Sequence, residues 1–144
     1  SSVLLVCDNA VEIVLDRLLC EVVRDLYPGI TLTAAVRGGP MINDATLEDA
    51  AEAGLDATCR VITTGTALAG VDLERSSREL REAFSSADVI LAKGQGNFET
   101  LDTRDENIYF LFQVKCDCVS RLLHAEKGSA VVCSLRAHRP QAVS

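Results

Sequence analysis

The sequence predicts an α/β fold, a three-layer α/β/α Rossmann-like sandwich built on a mostly parallel sheet. Apolar stretches of strand length alternate with segments of helical period along the chain, and strands separated by helices require parallel pairing with helices on both faces. After its first residue, the run from Asp88 to Ala92 is continuously apolar, the pattern of a strand buried on both faces. The 144 residues are 48% hydrophobic, enough for one core, so residues 1–144 are expected to form a single domain.

Each element has its own justification. Val3 to Cys7 is a short apolar strand. From Asn9 onward a helix is expected, with Asp8 or Asn9 as its cap and Glu12 in its first turn, where the helix dipole favours a negative charge. Ile13, Val14, Leu18, Val22 and Leu26 keep helical spacing, and Pro28-Gly29 ends the helix. Ile30 to Val36 is β-rich and alternating, a second strand. The loop RGGPMINDAT follows, then a helix from Ala45 to Ala53 that stops at Gly54. Ala57 to Thr63 is the third strand, and TTGTALAG a loop of small residues. Ser76 or Ser77 caps a helix running to about Ser85. Asp88 to Ala92 and Ile108 to Val114 are the fourth and fifth strands. Cys118 to Leu123 is a short helix, Ala130 to Leu135 a last strand, and the polar tail RAHRPQAVS is expected to fray.

Bulk properties exclude several classes. A net charge of −7 with no basic cluster argues against nucleic-acid binding. No apolar run approaches the roughly 18 residues that span a bilayer, and the first ten residues lack the basic start of a signal peptide. The six cysteines include no CxxC pair, and Cys116-Asp-Cys118 is too short alone for a zinc site. Reduced thiols in apolar settings point to a cytoplasmic protein.

In an open parallel sheet the strand-to-helix loops share one edge, where ligands bind. Here those loops bring Asp8, Asn9, Glu12, Asp44, Thr64, Lys93, Asn97, Glu99 and Lys115 together. Asp8, Asn9 and Asp44 are hard oxygen donors of the kind that suit Mg²⁺ or Mn²⁺. Lys93 and Lys115 are point charges able to meet phosphate oxygens. The helix start after Asp8 and the glycine turns add backbone donors for an anion. Metal, lysines and oriented amides are the equipment of phosphoryl transfer. Judged singly, Asp8-Asn9 and Asn43-Asp44 could be helix caps and Lys93-Gly94 a plain strand end. The stretch AKGQGNFETL is not a dinucleotide fingerprint, because Glu99 stands where G-x-G-x-x-G needs its third glycine. No P-loop and no G-x-S-x-G elbow occurs.

The segments DNAVEIVLDRLL, RGGPMINDATLEDA and ADVILAKGQGNFETL, followed by FLFQVKC, resemble in order the metal-dependent damage-control phosphatases. These are the ARMT1-like proteins, formerly domain of unknown function 89. The likeness runs over nearly the whole chain. It implies an α/β/α domain, a divalent metal (Mn, Co, Ni or Mg) and a small phosphorylated metabolite as substrate, such as a sugar phosphate or a phosphopantetheine-like compound. By motif, Asp8, Asn9 and Asp44 would bind the metal, with Asp8 and Asp44 as the catalytic carboxylates. Glu12, Asn97 and Lys115 would line the substrate pocket beside Lys93. The family usually reads DNAGE, and Val11 here replaces the glycine, which would narrow the approach to the metal. The helical N-terminal part that the resemblance implies is absent from these residues, so a fragment, a processed chain or a minimal member is expected.

Two other classes stand against the phosphatase. An S-adenosylmethionine-dependent carboxyl methyltransferase, an activity proposed within the same family, would need no metal but an adenosine pocket, for which no clear glycine motif exists. A non-catalytic binding domain would fit Val11 and the missing part. The polar wall from Lys93 to Asn97 is expected to face substrate as a loop.

Overall fold

A computed structural model describes residues 1–102 and 107–134. Six strands form one sheet in the order β3-β2-β1-β4-β5-β6, where β1 is Ser2–Val6, β2 Thr31–Val36, β3 Arg60–Thr63, β4 Val89–Lys93, β5 Ile108–Gln113 and β6 Ala130–Cys133. β1 to β5 pair in parallel, and β6 adds to β5 antiparallel. The chain starts in the middle, winds outward to β3, then crosses back to the other side of β1. The order therefore reverses between β1 and β4, and a crevice opens beyond their carboxyl ends.

Both faces of the sheet are covered, as its apolar strands require. Leu4 and Val6 of β1 point to one side with Ile90, Ile108, Phe110 and Phe112. They meet α3 (Arg78–Ser86), α4 (Gln95–Leu101) and α5 (Asp117–Leu123) through Leu80, Phe84, Phe98 and Val119. Phe98 packs edge-on to Phe110 at 5.1 Å between ring centres and lies 4.8 Å from Phe112. Leu5 and Cys7 point to the other side, where Ala34 and Val36 meet Ile13 and Cys20 of α1 (Ile13–Leu26) and Ala50 of α2 (Leu47–Ala53). The three layers are those read from the sequence. Leu135 and the tail lie outside the described residues. All six cysteines are free thiols, and no described helix is long and apolar enough to cross a membrane.

Three local features depart from the sequence reading or complete it. First, α1 starts at Ile13 rather than beside Asn9, and no side chain caps it. The Asn9 Oδ1 instead accepts from the Val11 amide at 2.8 Å, closing a turn ahead of the helix. Second, Val14, Leu18, Val22 and Leu26, the stripe that identifies this helix by its spacing, face solvent. Ile13, Asp16 and Cys20 form the inward face. Third, the stretch after β4 is not a loop. Gly94 turns at φ +84° and α4 begins at once with Gln95. Gly54 closes α2 in the left-handed conformation and Ser77 caps α3, as read, but α2 starts at Leu47 rather than Ala45, and its cap is Thr46, in a capping box with Asp49, not Asn43-Asp44.

Candidate active site

β1 delivers Asp8 and Asn9, and the loop after β2 delivers Asp44. The two segments are stitched by backbone bonds. Ala45 N donates to Asp8 O at 2.8 Å, Ala10 N to Asn43 O at 2.8 Å, and Asn9 and Asp44 form an isolated antiparallel bridge. This pairing is what a sheet edge cannot supply by strand order alone, and it brings the three donor residues together. On the other side of Asp8 stands Gly94. A methyl group built on Gly94 would sit 2.2 Å from the Asp8 Cγ and Oδ2, so only glycine admits the carboxylate there.

The electrostatics agree with this crowding. Burial pushes the Asp8 carboxyl above its ordinary value, and the charges of Asp44 and Glu12 push it the same way. Arg37 and Lys115 pull it back. Asp8 thus lies in a concentration of negative charge within range of Lys115, an exposed residue just past β5. Among the described residues no group of three or more His, Cys, Asp or Glu side chains is placed to hold a metal. The donor set is two carboxylates and the Asn9 amide, hard oxygens that fit a divalent cation keeping water in its remaining positions. The close approach of Asp8 and Asp44, with Asp8 destabilised as an anion, is the local condition that a cation would relieve.

The other expected residues take different places. Lys93, at the end of β4, points to the α1 side and donates to Glu12 Oε2 and Asp16 Oδ1, both at 2.7 Å. Asp16 is 1% exposed, and its Oδ2 has no partner. Burial raises the Asp16 carboxyl, while Lys93 and the nearby Cys7 thiol lower it. Burial lowers Lys93, but the bonds and charges of Asp16 and Glu12 win and hold it above the ordinary lysine value. Asn97 is fully buried. Its Nδ2 donates to Lys93 O at 2.6 Å and Cys7 O at 3.3 Å, and its Oδ1 accepts from Arg37 Nη2 at 2.9 Å. It braces the ends of β1 and β4 and does not present its amide to the crevice. Glu99 accepts from Gln95, whose Oε1 accepts the Lys115 amide at 2.8 Å, so α4 is tied to the end of β5. Thr64 is buried and holds the Gly38 amide and the Thr66 carbonyl. Val11 is 83% exposed, so its side chain leans into solvent.

The expected free amides after Asp8 are also accounted for. Those of Ala10, Val11 and Glu12 bond Asn43 O, Asn9 Oδ1 and Asn9 O. Arg37 and Asp16 are the two residues that sequence reading missed. Arg37 follows β2 and is the largest fully buried side chain; its Nε donates to Asp44 Oδ2 at 2.6 Å. The available signal was a charged residue at the end of an apolar strand, TLTAAV-Arg37. For Asp16 it was a carboxylate on the same helical face as Ile13 and Cys20.

Fold and site together define a Rossmann-like α/β domain with an acidic centre at the switch point of its sheet. Comparison gives that class its family. Residues 1–131 match the damage-control phosphatase ARMT1-like domain, and the chain belongs to that family. It is 47% identical over 133 residues to a damage-control phosphatase of Pyrococcus horikoshii, covering 92% of this chain and 46% of that protein. It is 39% identical over 126 residues to a protein named damage-control phosphatase from Archaeoglobus fulgidus, covering 86% and 43%. The crystal structure of a DUF89 family protein from P. horikoshii is similar at a TM-score of 0.85 and 46% identity, over 90% of this chain and 45% of that one. The chain therefore spans less than half the length of the relatives it matches.

Proposed function

We propose that this domain carries the metal-dependent centre of a phosphatase that hydrolyses small phosphorylated metabolites, in metabolite damage control. The observation that carries the reading is the Asn9–Asp44 backbone bridge, which brings the segments bearing Asp8, Asn9 and Asp44 together at the switch point, with Gly94 close against Asp8. Relatives at 47% and 39% identity that are named damage-control phosphatases support it.

Asp8, Asn9 and Asp44 would hold Mn²⁺, Co²⁺, Ni²⁺ or Mg²⁺, which when bound supplies Lewis acidity at a phosphoryl oxygen. Lys115, exposed and in range of Asp8, offsets the charge of the incoming phosphate. Glu12 is half exposed although paired with Lys93, so its carboxylate can also accept a bond from a substrate hydroxyl. Lys93 and Asn97 serve the substrate from behind: one fixes Glu12, the other fixes the carbonyls at the ends of β1 and β4. A cytoplasmic setting accords with six unbridged thiols.

The test is phosphate release from a panel of sugar phosphates and other phosphometabolites, with each of the four cations and with chelator. Release that depends on cation and is lost in Asp8→Ala supports the reading. Methyl transfer from S-adenosylmethionine with no phosphate release would replace it with the carboxyl methyltransferase, and neither activity alongside ligand binding would leave a binding domain.

A further inference from the structure

Arg37 is buried to 1% exposure, and its guanidinium is committed on two arms. Nε donates to Asp44 Oδ2 at 2.6 Å, and Nη2 donates to Asn97 Oδ1 at 2.9 Å. The third nitrogen, Nη1, is buried without a partner. A fully buried arginine is costly, and an unpaired donor on it more so. The surrounding backbone does not need this charge: the Arg37 amide already binds Ala45 O at 2.8 Å, and the neighbouring loop is held by Gly38 on Thr66 O. A Cβ on Gly38 would sit 2.6 Å from the Gly65 and Thr66 backbone, so the two loops lie in close backbone contact without the guanidinium. What the guanidinium adds is a fixed orientation of the Asp44 carboxylate, braced through Asn97 against the turn into α4.

That orientation has a chemical consequence. Oδ2 is occupied by a short charge-assisted bond, and among the described residues no hydrogen bond reaches Oδ1. Asp44 therefore has one wholly free oxygen, Oδ1, while Oδ2 is held toward the guanidinium and is the poorer donor. A carboxylate that offers chiefly one oxygen suits a small cation with strict octahedral geometry. A carboxylate free to swing and offer both suits Ca²⁺, which takes six to eight ligands and accepts bidentate donors. We propose that Arg37 is a positioning residue that determines cation choice: by holding Asp44 Oδ2 it makes Asp44 offer chiefly Oδ1 and selects Mg²⁺- and Mn²⁺-sized cations against Ca²⁺. This rests on the cation reading of Asp8, Asn9 and Asp44 given above.

The experiment is titration calorimetry of Mn²⁺ and of Ca²⁺ into the 144-residue chain and into Arg37→Met and Arg37→Lys. Far-UV circular dichroism of each protein reports its fold. The expected result is a parent that prefers Mn²⁺, and an Arg37→Met variant in which that preference falls about tenfold or more because Mn²⁺ affinity drops further than Ca²⁺ affinity. Arg37→Lys keeps a buried positive charge and serves where the methionine variant does not fold. An ammonium cannot reproduce the planar fork to Asp44 and Asn97, so the preference falls there as well. A general loosening of the loop would weaken both cations in equal proportion, and an unchanged Mn²⁺ to Ca²⁺ ratio in a folded variant overturns the proposal. A parent that binds neither cation overturns the cation reading itself, and this inference with it.

Discussion

Two cations stand at the carboxyl ends of neighbouring parts of the sheet, and they do different work. Arg37, just past β2, joins Asp44 in its own loop to Asn97 in α4. Lys93, the last residue of β4, joins Glu12 and Asp16, which lie one turn apart at the start of α1. The first cluster spans separate loops around the Asp8–Asp44 pair. The second pins one helix to one strand. A planar fork of donors can fix the direction of a carboxylate, whereas an ammonium fixes a charge at a point. The site's geometry accordingly depends on the arginine corner and the seating of α1 on the lysine corner.

This division can be broken at either side. The largest effect is expected on the arginine side. Asp8→Ala and Asp44→Ala should each lower cation affinity at least a hundredfold, since even groups that only support a ligand are worth ten- to a hundredfold. Calorimetry with Mn²⁺ checks it, and full affinity in either variant would remove the carboxylates from the centre.

On the lysine side the expected loss is of stability. Lys93→Met strands Asp16 in the interior and should cost about 3–5 kcal/mol in urea unfolding near neutral pH. Because Lys93 is held above its ordinary value of 10.5, its contribution is fully present below that pH and is lost as pH rises through the folded value. Parent and variant should therefore converge in stability at strongly alkaline pH. A gap that stays constant would mean that the ion cluster contributes nothing.

Gly94 lies where the two corners meet. Gly94→Ala combines a positive φ with a Cβ overlapping the Asp8 carboxylate and should cost about 3 kcal/mol. Unlike Lys93→Met, it should weaken cation binding too. Lys115 is exposed and outside both clusters, so Lys115→Ala should lower phosphate-release efficiency about ten- to a hundredfold. Its melting temperature and Mn²⁺ affinity should match the parent. The smallest change is expected at Ile42, a β-branched residue at φ +51° with its side chain in solvent. Ile42→Gly should relieve strain and raise stability by about 1 kcal/mol, and thermal unfolding would report it.

The sequence by itself determined the layers, the parallel core and the edge on which the site would form. Those follow from local quantities: runs of apolar residues, helical spacing, and stop and cap residues such as Gly54 and Ser77. It also placed Asp8, Asn9 and Asp44 on that edge, because each follows directly from a strand or its loop. Only tertiary structure decided what those residues touch. Spacing alone could not say which side of α1 would pack inward, because Val14, Leu18, Val22 and Leu26 keep the same period as the buried Ile13 and Cys20. Asn97 reads as a polar residue after a glycine turn. It becomes a buried brace only when α4 starts at once and brings its amide against carbonyls from β1 and β4. Arg37 reads as an ordinary loop arginine until Asn97, sixty positions away, closes over it. Burial and the pairing of charges depend on the sum of distant surroundings, and no window of the chain contains that sum.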